Sequence, residues 1–467
     1  MSQVLVFLGS ISSSLILFYF FLLNTFYLFF IVVAISELLR YRRLLLILKT
    51  FEPLPIYLIK PVSIIAPAFN EENSIVQSVS NLLSLDYPAY EVIVINDGST
   101  DETLSRLINH FRLKKTSLIF RRVLDTKPIR GIYTNPEYPQ LIVIDKENGQ
   151  KADALNAGLN LSRYPLFCAV DSDSVLDRDA LQKVVRPFLE DPEKTIAAGG
   201  IIRLSNGCQI INGQLKRMSI PKNLLIRFQI IEYLRAFLGG RVGLSRLNSL
   251  LIVSGAFGIF RKDIVMSIGG YRKNTVGEDL DLVVRMRKYR HEKREPFAIR
   301  FLPDPICWTE APSNLRSLGR QRNRWHRGLL ETLIKSQRML FNPHYGITGL
   351  FALPFYFVFE LAGPLVELYG YLFFILASIF RIINYTYASL FFALAVAVGT
   401  MISLGSILLE ELSPRRYPGI KDILELLPSC LLENIIYRQC LSFIRVKAFI
   451  DYLKGKKEWG KMEKKGF

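Results

Sequence analysis

The stretch Leu-Phe-Cys-Ala-Val-Asp-Ser-Asp-Ser, residues 166–174, decides how the rest of the sequence is interpreted. Five apolar residues follow Pro165 and end in two carboxylates, Asp171 and Asp173, one residue apart. This pattern predicts a buried strand that ends at the edge of a sheet, where ligands bind in open α/β folds. Two adjacent carboxylates there require neutralisation, and a divalent cation that carries a diphosphate would supply it. An isolated Asp-x-Asp is also typical of a solvated turn with an aspartate at a helix N-cap.

Apolar runs alternate with helical patterns on the amino-terminal side of this stretch. Such alternation favours the α/β class, with a doubly wound parallel sheet and right-handed crossovers. The run at 91–95 is nearly continuous, as in strands buried on both faces of a parallel sheet. The predicted strands are 62–66, 91–95 and 141–144, and the predicted helices are 71–85, 101–111 and 151–161.

Three apolar segments flank the α/β region. Residues 2–36 contain no charged side chain, which exceeds the roughly 20 residues needed to cross a bilayer. No basic residue precedes this run and no small-residue cleavage site follows it, so we expect a transmembrane helix and not a signal peptide. Residues 346–380 and 382–409 are also apolar, with only Glu360 and Glu367 as acidic residues in the first of them. Intramembrane carboxylates face a protein interior or a wet cavity, and the alternative is that Glu360 ends an interfacial segment at the depth of the lipid headgroups.

The position of the basic residues predicts how the protein is oriented in the membrane. Basic residues follow the first apolar run at Arg40, Arg42, Arg43 and Lys49, which predicts that this end is cytoplasmic. The sequence therefore predicts a multi-pass protein of the cell (inner or plasma) membrane, with two or three crossings after residue 345. The expected organisation is a transmembrane helix in 1–40, a cytosolic α/β domain in 54–310, interfacial helices in 311–345, two transmembrane helices in 346–412 and a basic amphipathic cytosolic tail in 413–467.

The excess of basic residues indicates which classes of partner the protein binds. Lys and Arg number 59 against 41 Asp and Glu, and this excess fits anionic membrane lipids. Basic residues do not interleave with aromatic ones as they do in nucleic-acid modules, so no nucleic acid is expected. The five cysteines form no Cys-x-x-Cys pair, which indicates reduced thiols and no zinc site. The helical pattern at 227–237 fits either a membrane-surface helix or a packed one.

Four further groups of residues carry possible chemistry. Each has a plain alternative: turn chemistry, a solvated charge, a helix cap or an ordinary amphipathic face. Their occurrence together, in this order, is harder to attribute to those alternatives. The groups are Asp97 at a predicted strand end, Lys151 at a helix start that would suit a diphosphate, Glu278 with Asp279 at a helix amino terminus, and Gln321, Arg324 and Trp325 on one helical face.

In these motifs the sequence resembles the membrane-embedded family 2 glycosyltransferases: cellulose, chitin, hyaluronan and poly-N-acetylglucosamine synthases. That family shows Asp, Asp-x-Asp, Glu-Asp and Gln-x-x-Arg-Trp in the same order. The resemblance covers roughly residues 61–333, and the segment Asn-Gly-Gln-Lys-Ala-Asp-Ala-Leu-Asn at 148–156 is most similar to the poly-N-acetylglucosamine synthases. One departure is Gly277, where cellulose synthases often carry Thr.

The resemblance implies a cytosolic GT-A-like domain that uses a nucleotide-diphosphate sugar, UDP-GlcNAc or UDP-glucose. It also implies a Mg²⁺ or Mn²⁺ cofactor. The implied roles are nucleotide contacts by Glu71 and Asp97, seating of UDP by Lys151 and Asp171, metal ligation by Asp173, deprotonation of the acceptor by Asp279, and binding of the diphosphate and the acceptor sugar by Gln321, Arg324 and Trp325.

From these roles we expect an inverting transferase that extends a β-linked polysaccharide, processively and with export. The alternative is a non-processive enzyme that adds one sugar to a lipid or lipid-linked acceptor. A catalytically silent scaffold that senses nucleotide sugar is disfavoured because the acidic residues are all present. Three crossings make a small conduit, so a homo-oligomer or an accessory export subunit is a further expected partner.

Overall fold

The computed structural model describes residues 2–48, 59–211, 214–413 and 420–456. Several sequence predictions lie outside these residues. They are the linker at 54–58, the basic residues Lys49, Arg415 and Arg416, and the tail after residue 456.

Twelve strands are described, and ten of them form one mixed sheet. The strands are β1 Val62–Ala68, β2 Tyr90–Asp97, β3 Lys114–Thr116, β4 Ile129–Thr134, β5 Leu141–Lys146, β6 Leu166–Val170, β7 Val175–Leu176, β8 Thr195–Leu204, β9 Gln209–Ile211, β10 Gln214–Arg217, β11 Phe257–Arg261 and β12 Ala298–Thr309. Their order in the sheet is β3-β4-β5-β2-β1-β6-β11-β8-β12-β7, while β9 and β10 pair separately.

The sheet confirms the predicted α/β class and adds antiparallel strands to it. Strands β5, β2, β1 and β6 are mutually parallel, as the sequence predicted for the first half of the domain. Strand β11 then runs antiparallel to both β6 and β8. The sheet is therefore not a purely parallel doubly wound one, and its second half had no counterpart among the predicted strands.

Fifteen α-helices surround and extend this sheet in the described residues. They are α1 Ser2–Leu48, α2 Ile75–Leu83, α3 Thr103–His110, α4 Gln150–Leu161, α5 Ala180–Glu190, α6 Leu224–Leu234, α7 Val242–Arg246, α8 Lys262–Ser267, α9 Glu278–Glu292, α10 Leu315–Lys335, α11 Leu353–Phe355, α12 Gly363–Ile379, α13 Tyr385–Leu412, α14 Ile420–Leu432 and α15 Arg438–Leu453. Turns of π-helix occur at Arg235–Arg241, Thr348–Ala352, Tyr356–Leu361 and Glu433–Tyr437.

Three helices of the described part are long and apolar enough to cross a membrane. They are Gly9–Leu46 within α1, Thr348–Ile379 and Tyr385–Leu412. Helix α1 continues beyond the predicted boundary at residue 40, and its far end packs on the α/β domain through the buried residues Leu38 and Tyr41. The Tyr41 hydroxyl donates a hydrogen bond to Asp304 of β12. These apolar helices are those expected of a membrane protein.

The burial of helix α6 decides whether the helical pattern at 227–237 belongs to a membrane-surface helix or to a packed one. Seven of its eleven residues are buried, around the whole helix and not along one stripe. Buried Gln229 donates hydrogen bonds from its side chain to the carbonyls of Leu225 and Pro312. Helix α6 is therefore packed inside the protein, and the interpretation as a membrane-surface helix is wrong.

Candidate active site

One cavity of about 1540 Å³ opens above the carboxyl ends of β2 and β6. All nine residues that the sequence nominated line it, although they come from positions up to 254 residues apart. This juxtaposition does not assign their roles, which stay predictions. The nine are Glu71, Asp97, Lys151, Asp171, Asp173, Asp279, Gln321, Arg324 and Trp325.

Asp97 ends β2 and is held by a buried lysine. The Lys146 ammonium has no exposed surface and lies 2.6 Å from Asp97 Oδ1 and 2.7 Å from Asp153 Oδ1. The Gly149 amide also donates to Asp97 Oδ1, at 3.0 Å. Burial raises the pKa of Asp97, and the hydrogen bond from Lys146 opposes that rise. The other Asp97 oxygen thus borders the cavity from a carboxyl group whose orientation is fixed.

Glu71 lies opposite Asp97, in the loop between β1 and α2. Its amide donates to Thr103 Oγ1 at 2.8 Å, and its carboxylate accepts from Ser74 Oγ at 3.1 Å. These contacts attach the loop to the start of α3. The two acidic residues that were predicted to contact the nucleotide therefore border the same end of the cavity.

Lys151 crosses the cavity floor from the first turn of α4. Its ammonium lies 2.6 Å from Asp171 Oδ1 and 3.6 Å from Glu278 Oε1, and it donates to the Gly255 carbonyl at 3.0 Å. Burial alone would lower the pKa of Lys151, but the charges of Asp171 and Glu278 outweigh it and raise the pKa. Lys151 is therefore a fixed cation among carboxylates, which a bound diphosphate could share.

The Glu278-Asp279 pair starts α9. The Asp279 carboxylate accepts a hydrogen bond from the adjacent Leu280 amide at 2.9 Å, within the first turn of the helix. A methyl group at Gly255 would lie only 2.8 Å from Asp279 Oδ2, so the glycine leaves the space that this oxygen occupies. Burial raises the pKa of Glu278 to about 7, against the lowering effect of Lys151. The two neighbouring acidic residues thus differ in environment, since Glu278 is buried and Asp279 is partly exposed at the cavity.

A contact between two glycines sets α10 against the start of α9. A Cβ atom on Gly277 would lie 2.8 Å from Gly328 Cα, and a Cβ atom on Gly328 would lie 2.8 Å from Gly277 Cα. Neither position has room for a side chain without backbone movement. The contact explains the departure from Thr at residue 277, because the opposing helix fills that space here.

Helix α10 carries the amide, cation and indole of the last motif. The Gln321 side-chain oxygen is buried and has no hydrogen-bond partner among the described residues, so it can accept from a ligand hydroxyl. The Trp325 indole is 42% exposed at the cavity wall. The guanidinium of Arg322 lies 4.3 Å from the centre of that ring. The side of the indole not covered by Arg322 is available to a flat ligand.

Some residues at the cavity were not nominated from the sequence. Lys146 does not line the cavity but holds Asp97, and it could have been found, because a charged residue ends the apolar run of β5 just as Asp97 ends β2. Arg241 and Tyr356 could not, since they come from turns of π-helix with no motif, whereas Glu360 was singled out from the sequence as an acidic residue in an apolar segment. Glu360 lines the cavity and accepts a hydrogen bond from the Tyr27 hydroxyl at 3.1 Å. This favours the interpretation that Glu360 faces a protein interior, while Glu367 accepts from Ser442 of α15.

The carboxylates at the cavity suit a divalent metal that is bound together with a substrate. No three His, Cys, Asp or Glu side chains converge on one point in the parts of the chain that the structure describes. Asp171 and Asp173 offer hard carboxylate oxygens at the cavity, which suits Mg²⁺, since that ion is held by one or two carboxylates together with substrate phosphates and water. The residues therefore fit a metal that arrives with a diphosphate and do not fit a cage made of protein alone.

Comparison with known proteins agrees with this geometry. Residues 63–269 match the family described as "Glycosyl transferase family 2". A poly-beta-1,6-N-acetyl-D-glucosamine synthase of Staphylococcus aureus is 28% identical over 279 residues, 59% of this chain and 56% of that protein. The corresponding protein of Staphylococcus epidermidis is 26% identical over 278 residues, with the same coverage. The chain thus spans little more than half the length of these relatives.

Among solved structures, the mannosyltransferase of Pyrobaculum calidifontis, determined with GDP-Man and Mn²⁺, has a TM-score of 0.53 and 18% identity. The likeness covers 89% of this chain and 99% of that one, and it shows the fold. The mixed sheet with acidic strand ends above one cavity is thus that of a GT-A-like glycosyltransferase. Residues 63–269 of the chain form a glycosyltransferase family 2 domain.

Proposed function

We propose that this protein is a membrane-bound inverting glycosyltransferase that uses UDP-GlcNAc to extend a β-linked polysaccharide. One observation carries the proposal: all nine residues of the nucleotide, metal, base and acceptor motifs border a single cavity. The synthases that share the sequence motifs favour N-acetylglucosamine over glucose as the transferred sugar.

Asp279 acts as the general base. Its carboxylate borders the cavity at the amino terminus of α9. An ionised carboxylate can accept the proton of an acceptor hydroxyl as that oxygen attacks the anomeric carbon. The bond to UDP breaks on the opposite side of the sugar, so the configuration is inverted.

Cations of the chain stabilise the leaving diphosphate. Lys151 borders the cavity beside Asp171, and Arg324 projects from α10 at the same wall. Asp173, with Asp171 beside it, would hold Mg²⁺ or Mn²⁺, whose charge supports departure of the diphosphate. Asp97 and Glu71 hold the nucleoside at the far end, so the reacting sugar is placed between the diphosphate and Asp279.

The acceptor enters from the membrane side. Glu360 and Tyr356, within the apolar segment Thr348–Ile379, line the same cavity as Asp279. A glycan hydrogen-bonded there would remain bound between additions, which favours processive synthesis with export. In this topology the amino terminus is outside the cell, and the domain between α1 and residue 345 is cytoplasmic.

The test is release of the nucleoside diphosphate by the purified protein in liposomes, UDP from UDP-GlcNAc or UDP-glucose and GDP from GDP-Man, with the three donors offered separately. We expect UDP release with UDP-GlcNAc that requires a divalent cation and is lost in Lys151→Met. An exposed lysine on the same sheet, Lys114→Met, is the matched control and should leave the rate unchanged.

Product sizing then separates the two modes of transfer. Long glycans formed at low enzyme concentration support processive extension. A product with a single added sugar would contradict processive extension and support the alternative of one transfer to a lipid acceptor. Absence of turnover with every donor would overturn the proposal.

A further inference from the structure

The acceptor-facing indole of Trp325 rests on a cation, Arg322, that is held by a set of buried contacts reaching the carboxyl-terminal helices. Arg322 is one helical turn before Trp325 on α10, with only 4% of its side chain exposed. Its guanidinium carbon lies 4.3 Å from the centre of the Trp325 ring, within the range of a cation–π contact. An exposed tryptophan without such a partner would sample several rotamers.

The guanidinium is fixed by a buried carboxylate. Arg322 Nη2 donates to Glu232 Oε2 of α6 at 2.8 Å. Burial alone would lower the pKa of Arg322, but Glu232 outweighs that effect and the pKa is raised, so the cation is permanent. A buried charge pair of this kind fixes geometry, because either partner alone would be strongly destabilising.

The carboxylate is fixed in turn by the carboxyl-terminal helices. The Tyr437 hydroxyl donates to the same Glu232 oxygen at 2.7 Å, and the Tyr437 ring packs on Phe228 with centroids 5.4 Å apart. Tyr437 ends the π-helical turn whose first residue, Glu433, pairs with Arg235 at 2.8 Å. A continuous set of buried contacts therefore runs from the carboxyl-terminal helices to the indole.

We propose that Arg322, Glu232 and Tyr437 are positioning residues that hold the Trp325 indole flat for the acceptor sugar, so that the carboxyl-terminal helices set acceptor affinity. The inference deepens the proposed function and rests on it for the identity of the ligand. None of the three residues needs to contact the nucleotide, so the effect should fall on the acceptor alone.

The kinetic test measures initial rates with UDP-GlcNAc and a β-1,6-linked N-acetylglucosamine pentasaccharide in the full-length protein. For Arg322→Met we expect the acceptor KM to rise roughly 3- to 30-fold, the range that loss of one cation–π contact allows. The donor KM should stay unchanged. Arg322→Lys should restore part of the affinity, because it keeps the charge. Arg316→Met, an exposed arginine on the same helix, is the matched control.

A spectroscopic test does not depend on turnover. In a Trp459→Phe background only buried Trp308 and exposed Trp325 remain, so acrylamide quenching reports on Trp325. We expect more quenching in Arg322→Met, and a smaller increase in Tyr437→Phe, which removes one hydroxyl and leaves the ring. The Tyr437→Phe variant decides the matter if Arg322→Met does not fold.

The outcomes separate the two proposals. An unchanged acceptor KM together with unchanged quenching in both variants would overturn the positioning role while leaving the transferase assignment intact. A donor KM that rises in parallel with the acceptor KM would also overturn it, because general distortion would then explain the effect. Absence of UDP release in the wild type would count against the proposed function, with the quenching result still deciding the geometry.

Discussion

At the scale of single residues, Asp279 owes its position to what surrounds it. The Leu280 amide orients one carboxylate oxygen, and the missing side chain of Gly255 makes room for the other. The neighbouring Glu278 is pulled toward Lys151 and is buried more deeply. Two acidic residues adjacent in sequence thus have different electrostatic environments, which is the arrangement that separates acid–base roles.

Replacing Asp279 by Asn should remove the proton acceptor and keep the shape. We expect kcat to fall by about 10²- to 10⁴-fold, the usual contribution of a general base. UDP binding, measured by isothermal titration, should be unchanged. Asp263→Asn on the surface of α8 is the control. Near wild-type turnover in Asp279→Asn would show that another group takes the proton.

The raised pKa of Glu278 predicts how the stability of the protein depends on pH. Its pKa is raised from 4.5 to about 7, so the folded protein retains a proton that the unfolded chain releases between those values. Stability should therefore fall as the pH rises from about 4.5 to about 7, and Glu278→Gln should remove this loss. We expect the Tm of the variant minus that of the wild type to be more positive at pH 8 than at pH 5. Exposed Glu102→Gln should show no such trend, and a difference independent of pH would contradict the burial argument.

At the scale of elements, the sequence predicted the strands that carry the site and missed two of the longest. Strands β1, β2, β5 and β6 follow the simple rule of an apolar run ending in polar residues. Strand β12 contains Pro303 and Pro305, which argue against a central strand. The structure accommodates them because the register with β8 shifts between Leu302 and Cys307. Local pattern could not foresee that shift, since it depends on the partner strand.

Strand β8 was hidden for a related reason. Its consecutive glycines, Gly199 and Gly200, weaken any strand pattern. In the fold they leave space for Val253 and Ile306, whose side-chain carbons would lie within 2.3 Å of a Cβ atom there. The need for glycine thus comes from residues about 50 and 100 positions away. The nominated site residues were easier to find, because each belongs to a short motif at the end of an element.

The glycine contact between α9 and α10 gives a prediction at this scale. Gly328→Ala places a methyl group against the backbone of Gly277, and we expect a destabilisation of about 1–3 kcal/mol with a fall in kcat. Gly319→Ala on the same helix has only Ile444 within 4 Å, at 3.9 Å, and should raise helix stability by about 0.5–1 kcal/mol. Thermal unfolding and initial rates check both variants. Equal changes in stability and rate for the two variants would show that α10 can move away from α9 to make room for the methyl group.

At the scale of the whole molecule, buried ion pairs join the apolar helices to the sheet. Arg203 of β8 pairs with Glu410 near the end of α13, and each side chain is 1% exposed. Such a pair does not necessarily add stability, but removal of one partner leaves a buried charge without compensation. The α/β domain and α13 are therefore coupled through this contact.

Glu410→Gln should destabilise the protein by about 3–5 kcal/mol, because it removes the carboxylate charge that pairs with the buried Arg203 guanidinium. The surface pair of Arg227 with Glu425, at 3.0 Å, offers the contrast. Glu425→Gln should change stability by less than about 1 kcal/mol. Urea or thermal unfolding in detergent measures both. A similar small effect at the two sites would mean that water reaches Arg203.

The burial of Lys146 has a practical consequence. A primary amine enclosed by Asp97 and Asp153 is withheld from acylating reagents while the region between the end of β2 and the start of α4 stays closed. Its acetylation would then proceed only through transient opening of that region, at a rate set by the opening equilibrium. The rate of Lys146 acetylation therefore reports how often this region opens. A bound nucleotide that keeps the region closed should slow the acetylation.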